Sequence, residues 1–234
     1  EADSLAYLAA HTNIPVPKCY GSGVVPNSAR GKKYLILDFI EGDTLEKLWD
    51  KLSVVDKDTI VQQLREYVAE YRSLPPPDYL GAVVKEHFFC YATLFYQGRG
   101  FEGPFRDAQH FIDALADRLA VSNPKGPSKI AILTTLMKEI FKDFRTVFTH
   151  TDLAPKNIIV HRRGSNEDGS GIFKVTIIDW EGSGWYPEWW EYCHSPIWVN
   201  PMLGGWELEV QKIMPMYAKE FFCWERIYYM INDR

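Results

Sequence analysis

Two apolar segments in the second half of the chain each end in polar side chains, and this repeated pattern constrains the fold most. The first, VFTHTDLAPKNIIV at residues 147–160, has a polar loop between two strand-like runs. The second, VTIIDWE at residues 175–181, ends its apolar run at Asp179. Short β-branched runs bounded by turn residues predict strands. The polar stretch RRGSNEDGSG between them therefore predicts a hairpin in which Ile158–His161 pairs with Phe173–Ile178.

This hairpin would bring two oxygen-bearing side chains to the same end of the paired strands. Asn157 stands just before the first strand and Asp179 just after the second, with Asp152 in the loop nearby. Mg²⁺ is usually held by one or two such protein oxygens, with phosphate and water completing its shell. A carboxylate that is not a ligand, such as Asp152, can accept the proton of a substrate hydroxyl. Asp and Asn are also common turn residues beside strands, so neither is decisive alone.

The rest of the chain is predicted to be mainly helical. Apolar spacing and breaker residues predict two further strands, Tyr34–Leu37 and Thr146–Thr149. The first of them is predicted to be buried. Residues 79–106 are aromatic and Gly-rich without clear periodicity, so they are predicted to be irregular. Helices are predicted at residues 1–12, 42–52, 56–74, 107–119 and 128–141, and in segments from residue 187 onward. Helices segregated from a small hairpin favour an α+β fold over a parallel α/β sheet.

Composition excludes several classes of partner. The net charge of −5 over 234 residues argues against a general binder of nucleic acid or of anionic membranes. No apolar run reaches the roughly 18 residues of a membrane span. The four cysteines form no CxxC pair, and the five histidines other than His150 show no shared metal-ligand spacing. We therefore predict a cytoplasmic protein without nucleic-acid or membrane partners.

Several motifs together resemble one enzyme family. The pattern H-x-D-x4-N, followed by a hairpin ending in I-I-D-W-E, resembles the catalytic core of kinase-like phosphotransferases of small molecules. The segments EADSLAYLAAHTNIPVPKCYG, LILDFIEGDTLEKLW and IIDWEGSGWYPEWWEY are particularly similar to fungal members of the aminoglycoside phosphotransferase family. The resemblance runs in the family's order from Glu1 to about Tyr192. It implies a protein-kinase-like α+β fold, with an incomplete N-terminal lobe and hinge at residues 1–42 and a mainly helical C-terminal lobe at residues 43–234.

The resemblance also implies roles in the loop and hairpin. Asp152 would be the catalytic base or the carboxylate that orients the substrate. His150, also in the catalytic loop, would brace that loop rather than react. Asn157 and Asp179 would bind Mg²⁺. The implied reaction uses ATP and Mg²⁺ to phosphorylate a small-molecule hydroxyl.

Further positions follow from the resemblance in the first part of the chain. The hinge, whose backbone would meet the adenine, would consist of Leu37, Asp38, Phe39 and Ile40. Glu1 falls where the family has the helix glutamate that pairs with the phosphate-binding lysine.

The sequence departs from the family before Glu1. A Gly-rich turn and that lysine precede this helix in the family, and the printed sequence carries neither. Lys32 and Lys33 follow the helix, so they would occupy a different strand. Because phosphoryl transfer depends on positioning and charge neutralisation of the nucleotide, a chain without these parts should bind ATP and turn it over poorly. Two functions are therefore weighed: a phosphotransferase, impaired if truncated, and a catalytically inactive pseudokinase serving as a binding module. A protein kinase fits less well, since Trp-Glu rather than Phe-Gly follows Asp179.

Four further features have two interpretations each. Thr151 stands where the family usually has Gly, and a β-branched residue resists unusual backbone angles, so the loop could be reshaped. Lys156 could contact a phosphate or be a solvated loop lysine. Glu181 could join the metal site, although a local structural contact is favoured. WYPEWWEY could line a substrate pocket, but packing at a helix start is the favoured interpretation.

Overall fold

The computed structural model describes residues 1–28, 31–86, 88, 103–198 and 205–232. Within these residues, the α-helices are α1 (Ala2–His11), α2 (Leu45–Leu48), α3 (Val54–Arg72), α4 (Ala108–Ser122), α5 (Pro127–Ile140), α6 (Trp190–Trp198), α7 (Trp206–Ile213) and α8 (Ala218–Asn232). The strands are β1 (Cys19–Val24), β2 (Lys33–Leu37), β3 (Asp43–Thr44), β4 (Gly81–Ala82), β5 (Thr146–Thr149), β6 (Ile158–Ser165), β7 (Gly171–Ile177) and β8 (Gly184–Pro187). The α+β class is therefore confirmed.

The strands form small antiparallel sheets. In the described part of the chain their orders are β1–β2, β3–β6–β7 and β4–β8–β5. The predicted hairpin is β6–β7, with Ile158 opposite Ile177, so the prediction of this pair is confirmed. Both strands extend further into the polar stretch than predicted, since backbone pairing continues past the apolar residues through a register shift between Arg162 and Gly164.

Helix α3 forms as its pattern predicts. The hydroxyl of Ser53 accepts the N–H of Asp56 at 3.1 Å and caps the helix. The helical spacing of Ile60, Leu64, Val68 and Tyr71 predicts one apolar face, and all four residues are buried. Asp56 Oδ1 accepts the N–H of Gly171 at 2.7 Å, which fixes the start of α3 against β7. This hydrogen bond lowers the pKa of Asp56.

The helix after Gly42 differs from the prediction at its start. Asp43 and Thr44 are both residue types that cap helices, and Glu46 follows Asp43 at capping-box spacing, so the sequence is compatible with either cap. Thr44 is the cap, and its Oγ1 accepts the N–H of Lys47 at 3.4 Å. Asp43 instead pairs with Val160 in β3–β6, because this strand pairing takes its backbone out of the helix. Gly42 has a φ of 130°, and a Cβ there would lie 2.5 Å from Val160 O, so glycine is required.

The β1–β2 ribbon is less buried than its sequence predicts. Strand Tyr34–Leu37 forms within β2, but Tyr34 is 45% and Ile36 53% exposed. The prediction of a buried strand is thus wrong for these two residues. Burial depends on which elements cover a strand, and in the described residues β1 is the only strand paired with β2. The proposed division of the chain at residue 42 stays a prediction.

The aromatic cluster and the segment after α3 contain structure that the sequence only partly predicted. Trp185, Tyr186, Trp189 and Trp190 are all buried, which confirms the packing interpretation of WYPEWWEY. Gly81 and Ala82, predicted to be irregular, form β4 on the edge of β8. The Gly- and Pro-containing stretch NPMLGG, residues 200–205, is expected to interrupt the C-terminal helices, but most of it lies outside the described residues, as do residue 87 and residues 89–102 of the irregular segment. Within the described ranges, no helix combines the length and apolar character that a bilayer span requires.

Candidate active site

The loop after β5 and the end of β7 meet at one edge of the hairpin. The loop closes in a 3₁₀ turn, Pro155–Asn157, which leads into β6. The N–H of Ile178 donates to Asn157 O at 2.9 Å, so Asn157 and Asp179 stand at adjacent strand ends. Asp179 has a left-handed backbone conformation, with φ 65° and ψ 57°. The juxtaposition predicted from the hairpin is therefore present.

Asp152 is held through one of its two carboxylate oxygens. Asn157 Nδ2 donates to Asp152 Oδ2 and to Asp152 O, both at 2.9 Å. Lys156 Nζ lies 2.7 Å from the same Oδ2. Asp152 Oδ1 has no hydrogen-bond or ion-pair partner in the described part of the chain. One carboxylate oxygen is thus anchored, while the other makes no such contact.

Both ring nitrogens of His150 are engaged, and the residue is fully buried. Nδ1 accepts the N–H of Asp152 at 3.2 Å, so Nε2 carries the hydrogen and donates to Ile178 O at 2.9 Å. The ring also packs edge-on against Trp180, with centroids 4.5 Å apart. His150 therefore links the loop to the residues that flank Asp179.

Glu191, at the start of α6, anchors the loop between β5 and β6. Its Oε2 accepts the N–H of His150 and its Oε1 that of Thr151, both at 2.8 Å. The Tyr71 hydroxyl from α3 donates to Oε2 at 3.1 Å. Burial, and then the charge of Glu191, raise the pKa of Tyr71 well above its ordinary value, so the phenol remains a donor. Thr151 takes a φ of 79° in this arrangement, so the β-branched residue adopts a positive φ itself.

The sequence did not lead us to predict that α6 supports this loop. Glu191, His194 and Ser195 stand at i, i+3 and i+4, which places them on one face of α6. Ser195 Oγ donates to Leu153 O at 2.8 Å, in the same loop. His194 is near Asp152, but burial lowers its pKa to about 4, so the ring is neutral at neutral pH. Glu191, within the aromatic stretch WYPEWWEY, was the signal that could have predicted this contact, because a buried carboxylate needs hydrogen-bond donors.

Glu1 lies beside the hairpin end rather than against a lysine. Its carboxylate lies near the backbone N–H of Trp180, at the turn that follows Asp179. Burial, and next the charge of Asp179, raise the pKa of Glu1 above its usual value. In the described residues no lysine forms an ion pair with Glu1, although Lys33 lines the same cleft of 680 Å³. Glu181 also lines this cleft, and its two interpretations, a local structural contact and a metal ligand, both stay predictions.

The predicted hinge contains one residue with a clear structural task. Asp38 accepts the N–H of Lys18 at 3.1 Å and the Tyr20 hydroxyl at 2.7 Å, and its own N–H donates to Lys18 O. Leu37 ends β2 and packs against the core. The backbones of Phe39 and Ile40 make no hydrogen bond to the described part of the chain, and Phe39 is 92% exposed. These two residues thus leave main-chain donors and acceptors available.

Comparison with known proteins identifies the family. Residues 1–203 match the phosphotransferase enzyme family, APH. The chain belongs to this family. No curated protein matches it.

Several solved structures share the fold of this chain at low sequence identity. A fructosamine-3-kinase candidate from Haemophilus somnus 129PT is 18% identical with a TM-score of 0.56, and the match covers 98% of this chain and 70% of that one. A thermostable mutant of aminoglycoside phosphotransferase APH(4)-Ia, solved with ADP and hygromycin B, is 15% identical with a TM-score of 0.60, covering 97% and 72%. APH(4)-Ia itself is 16% identical with a TM-score of 0.58, covering 98% and 71%. These likenesses confirm the kinase-like fold of this APH chain.

The side chains at the hairpin end fit a hard cation. Asn157 uses Nδ2 as a donor to Asp152, which leaves Oδ1 as a possible ligand. Asp179, at the neighbouring strand end, supplies a carboxylate. No group of three His, Cys, Asp or Glu side chains among the described residues could hold a metal alone. A site with few protein oxygens suits Mg²⁺ bound together with phosphate oxygens.

Proposed function

We propose that this APH protein is an ATP- and Mg²⁺-dependent phosphotransferase acting, in the cytoplasm, on a hydroxyl group of a small molecule. The observation that carries the proposal is the position of Asp152. Its Oδ2 is anchored by Asn157 and Lys156, and its Oδ1 is left available beside the Asn157–Asp179 strand ends. This arrangement supports a role for Asp152 as proton acceptor and for Asn157 and Asp179 as ligands of a nucleotide-bound cation.

The proposed reaction is an in-line phosphoryl transfer. The substrate hydroxyl oxygen forms a bond to the γ-phosphorus, and the bond from that phosphorus to the β–γ bridging oxygen breaks, which releases ADP. Asp152 Oδ1 accepts the hydroxyl proton. Asn157 Oδ1 and the Asp179 carboxylate would hold Mg²⁺, which supplies neutralisation of phosphate charge when bound.

The surrounding residues would position these groups. The two hydrogen bonds of His150 and the carboxylate of Glu191 fix the loop that carries Asp152. The backbones of Phe39 and Ile40 would receive the adenine edge. Glu1 would support the turn that presents Asp179, because its carboxylate lies near the backbone N–H of the next residue, Trp180.

The lining of the neighbouring cleft suggests which acceptors to test. Glu1, Asp3, Glu86 and Glu181 bring carboxylates to it, and Lys33 brings one ammonium group. A predominantly acidic lining favours an amine-bearing acceptor over an anionic one. APH(4)-Ia, with which the chain shares its fold, has been solved with the small molecule hygromycin B.

Nucleotide binding tests the first half of the proposal. In the full-length gene product, Mg·ATP should raise the thermal unfolding midpoint, because a ligand that binds only the native state stabilises it. ATP with a chelator should raise it less. The absence of any Mg·ATP shift, together with no ATP turnover on a broad panel of hydroxyl compounds, would refute the proposal. Binding without turnover would instead favour the pseudokinase that the sequence left open.

A further inference from the structure

The contact between Lys156 and Asp152 gives that lysine a third interpretation, besides a phosphate contact and a solvated loop lysine. Lys156 Nζ lies 2.7 Å from Asp152 Oδ2, four residues earlier in the same loop. The 3₁₀ turn Pro155–Asn157 brings Lys156 over the carboxylate and Asn157 beside it. Lys156 is thus paired with the proposed base.

The contact is asymmetric between the two carboxylate oxygens. Oδ2 accepts the amide N–H of Asn157 at 2.9 Å and also meets the ammonium of Lys156. Oδ1 has no partner in the described residues. An ionised carboxylate can accept about four hydrogen bonds, so two donors on one oxygen leave the other able to act. Because donors come from two directions, rotation of the carboxylate about its χ2 bond is restricted.

The full positive charge in contact with Asp152 comes from Lys156. The nearby imidazole of His194 is buried and neutral at neutral pH, with a pKa of about 4. The amide of Asn157 is neutral as well. Both contacts to Oδ2 are charge-assisted, because each involves a carboxylate, and the Lys156 contact is an ion pair as well. Lys156 therefore adds a Coulombic restraint on Oδ2 that the Asn157 amide does not provide.

Stability does not explain this pair. The side chain of Lys156 is 53% exposed, and exposed ion pairs contribute about 0–1 kcal/mol. Asp152, in contrast, is only 27% exposed at the edge of the site. Orientation, which is sensitive to small displacements, is the property that such a contact can control.

We propose that Lys156 is a positioning residue that anchors Oδ2 of Asp152 so that Oδ1 faces the acceptor hydroxyl. This inference rests on the proposed phosphotransferase function. It assigns Lys156 no contact with the nucleotide, which separates it from a phosphate-binding lysine.

The kinetic test compares substitutions at two lysines in the full-length gene product. Lys156→Met removes the ammonium, Lys156→Arg retains a cation, and Lys138→Met removes a comparable ion pair, Lys138–Asp113 at 2.6 Å, on the surface of other helices. We expect Lys156→Met to lower kcat by roughly 10- to 100-fold. The Kd for Mg·ADP and the KM for ATP should not change, and Lys156→Arg should recover most of the rate. Lys138→Met should behave like the parent protein.

Three kinetic results would overturn the inference. Parental kcat in Lys156→Met would show that the pair is a solvated surface contact. A loss of Mg·ADP affinity as large as the loss of kcat would show contact with the nucleotide. An Lys156→Arg variant as slow as Lys156→Met would show that a positive charge at this position is not what orients Asp152.

A measurement that does not require turnover tests the anchoring by Lys156 separately from the proposed function. The ¹⁵N signal of the Lys156 ammonium group, slowed in hydrogen exchange by its contact, should lose that protection in Asp152→Asn. The Lys138 ammonium should be unaffected. If no variant shows turnover, the proposed function fails, while this signal still reports whether Lys156 anchors Asp152. An unchanged Lys156 signal in Asp152→Asn would overturn the anchoring.

Discussion

Glu191 accepts the backbone N–H of Thr151 at 2.8 Å, and this contact joins α6 to the strained point of the loop between β5 and β6. Thr151 has a φ of 79°, a conformation that costs a residue with a Cβ roughly 1–2 kcal/mol. The second oxygen of Glu191 accepts the preceding N–H, from His150, also at 2.8 Å. A single buried carboxylate thus fixes two successive peptide units, which explains how the loop keeps this backbone conformation with threonine.

The Glu191→Gln variant tests this anchoring. A glutamine offers one oxygen and one NH₂ group, so one of the two loop N–H groups would face another donor. Leaving a buried donor unsatisfied costs about 1–3 kcal/mol. We expect a loss of stability of that size in urea unfolding, together with a reduced kcat.

The Tyr71→Phe variant is the matched control for that change. It removes the hydroxyl that donates to Glu191 and leaves both loop N–H groups paired. Its cost should be about 1 kcal/mol, with little change in kcat. Equal effects of the two variants on kcat would contradict the assigned role of Glu191.

Thr151→Gly should destabilise the protein much less than Thr149→Gly. Glycine relieves the positive φ, which offsets most of the lost packing, so the cost should stay below about 1 kcal/mol. Thr149 is fully buried in the extended strand β5, and Thr149→Gly should cost roughly 2 kcal/mol. Urea unfolding of both variants decides, and equal losses would show that Thr151 is not strained.

Substitutions of Asp152 and Asp179 should impair different properties, kcat in the first case and nucleotide affinity in the second. Asp152→Asn should lower kcat by about 10²- to 10⁴-fold and leave Mg·nucleotide affinity nearly intact, because it removes the proton acceptor. Asp179→Asn should weaken Mg²⁺-dependent nucleotide binding by roughly tenfold or more, because it removes a ligand. Calorimetric titration with Mg·ADP, alongside kcat, separates the two. Equal loss of both properties in both variants would contradict these roles.

His194 should make the protein less stable as the pH falls. Its folded pKa is about 4 and its unfolded value is 6.5, so between these values the unfolded chain binds more protons. This contribution to stability is therefore complete above pH 6.5 and is lost progressively towards pH 4. At about pH 5, the parent should have lost about 2 kcal/mol more than a His194→Phe variant, relative to about pH 7. Urea unfolding across this range would contradict the prediction if the two curves were parallel.

Local patterns predicted the elements that present the site. The β6–β7 hairpin and the buried face of α3 follow from apolar spacing within the segments themselves. The neighbouring positions of Asn157 and Asp179 then follow from strand pairing. These features could be predicted because each depends on residues close together in the sequence or on one hairpin.

The parts that escaped prediction depend on distant partners. Glu191 meets the loop about forty residues earlier in the chain, and no local periodicity signals that contact. The two-residue strand β4 exists because β8 lies beside it. The exposure of Tyr34 and Ile36 reflects what covers β2, which an apolar run alone does not specify. Tertiary context decided each of these cases.

Direct detection of a phosphorylated acceptor tests the central claim, that Asp152 serves phosphoryl transfer to a small-molecule hydroxyl. The full-length gene product should be incubated with Mg·ATP and a panel of amine-bearing and neutral hydroxyl compounds, and the products analysed by mass spectrometry. The account predicts a phosphorylated compound with the parent protein that is lost with Asp152→Asn. No phosphorylated product from the parent, or the same product at the same rate from Asp152→Asn, would contradict it.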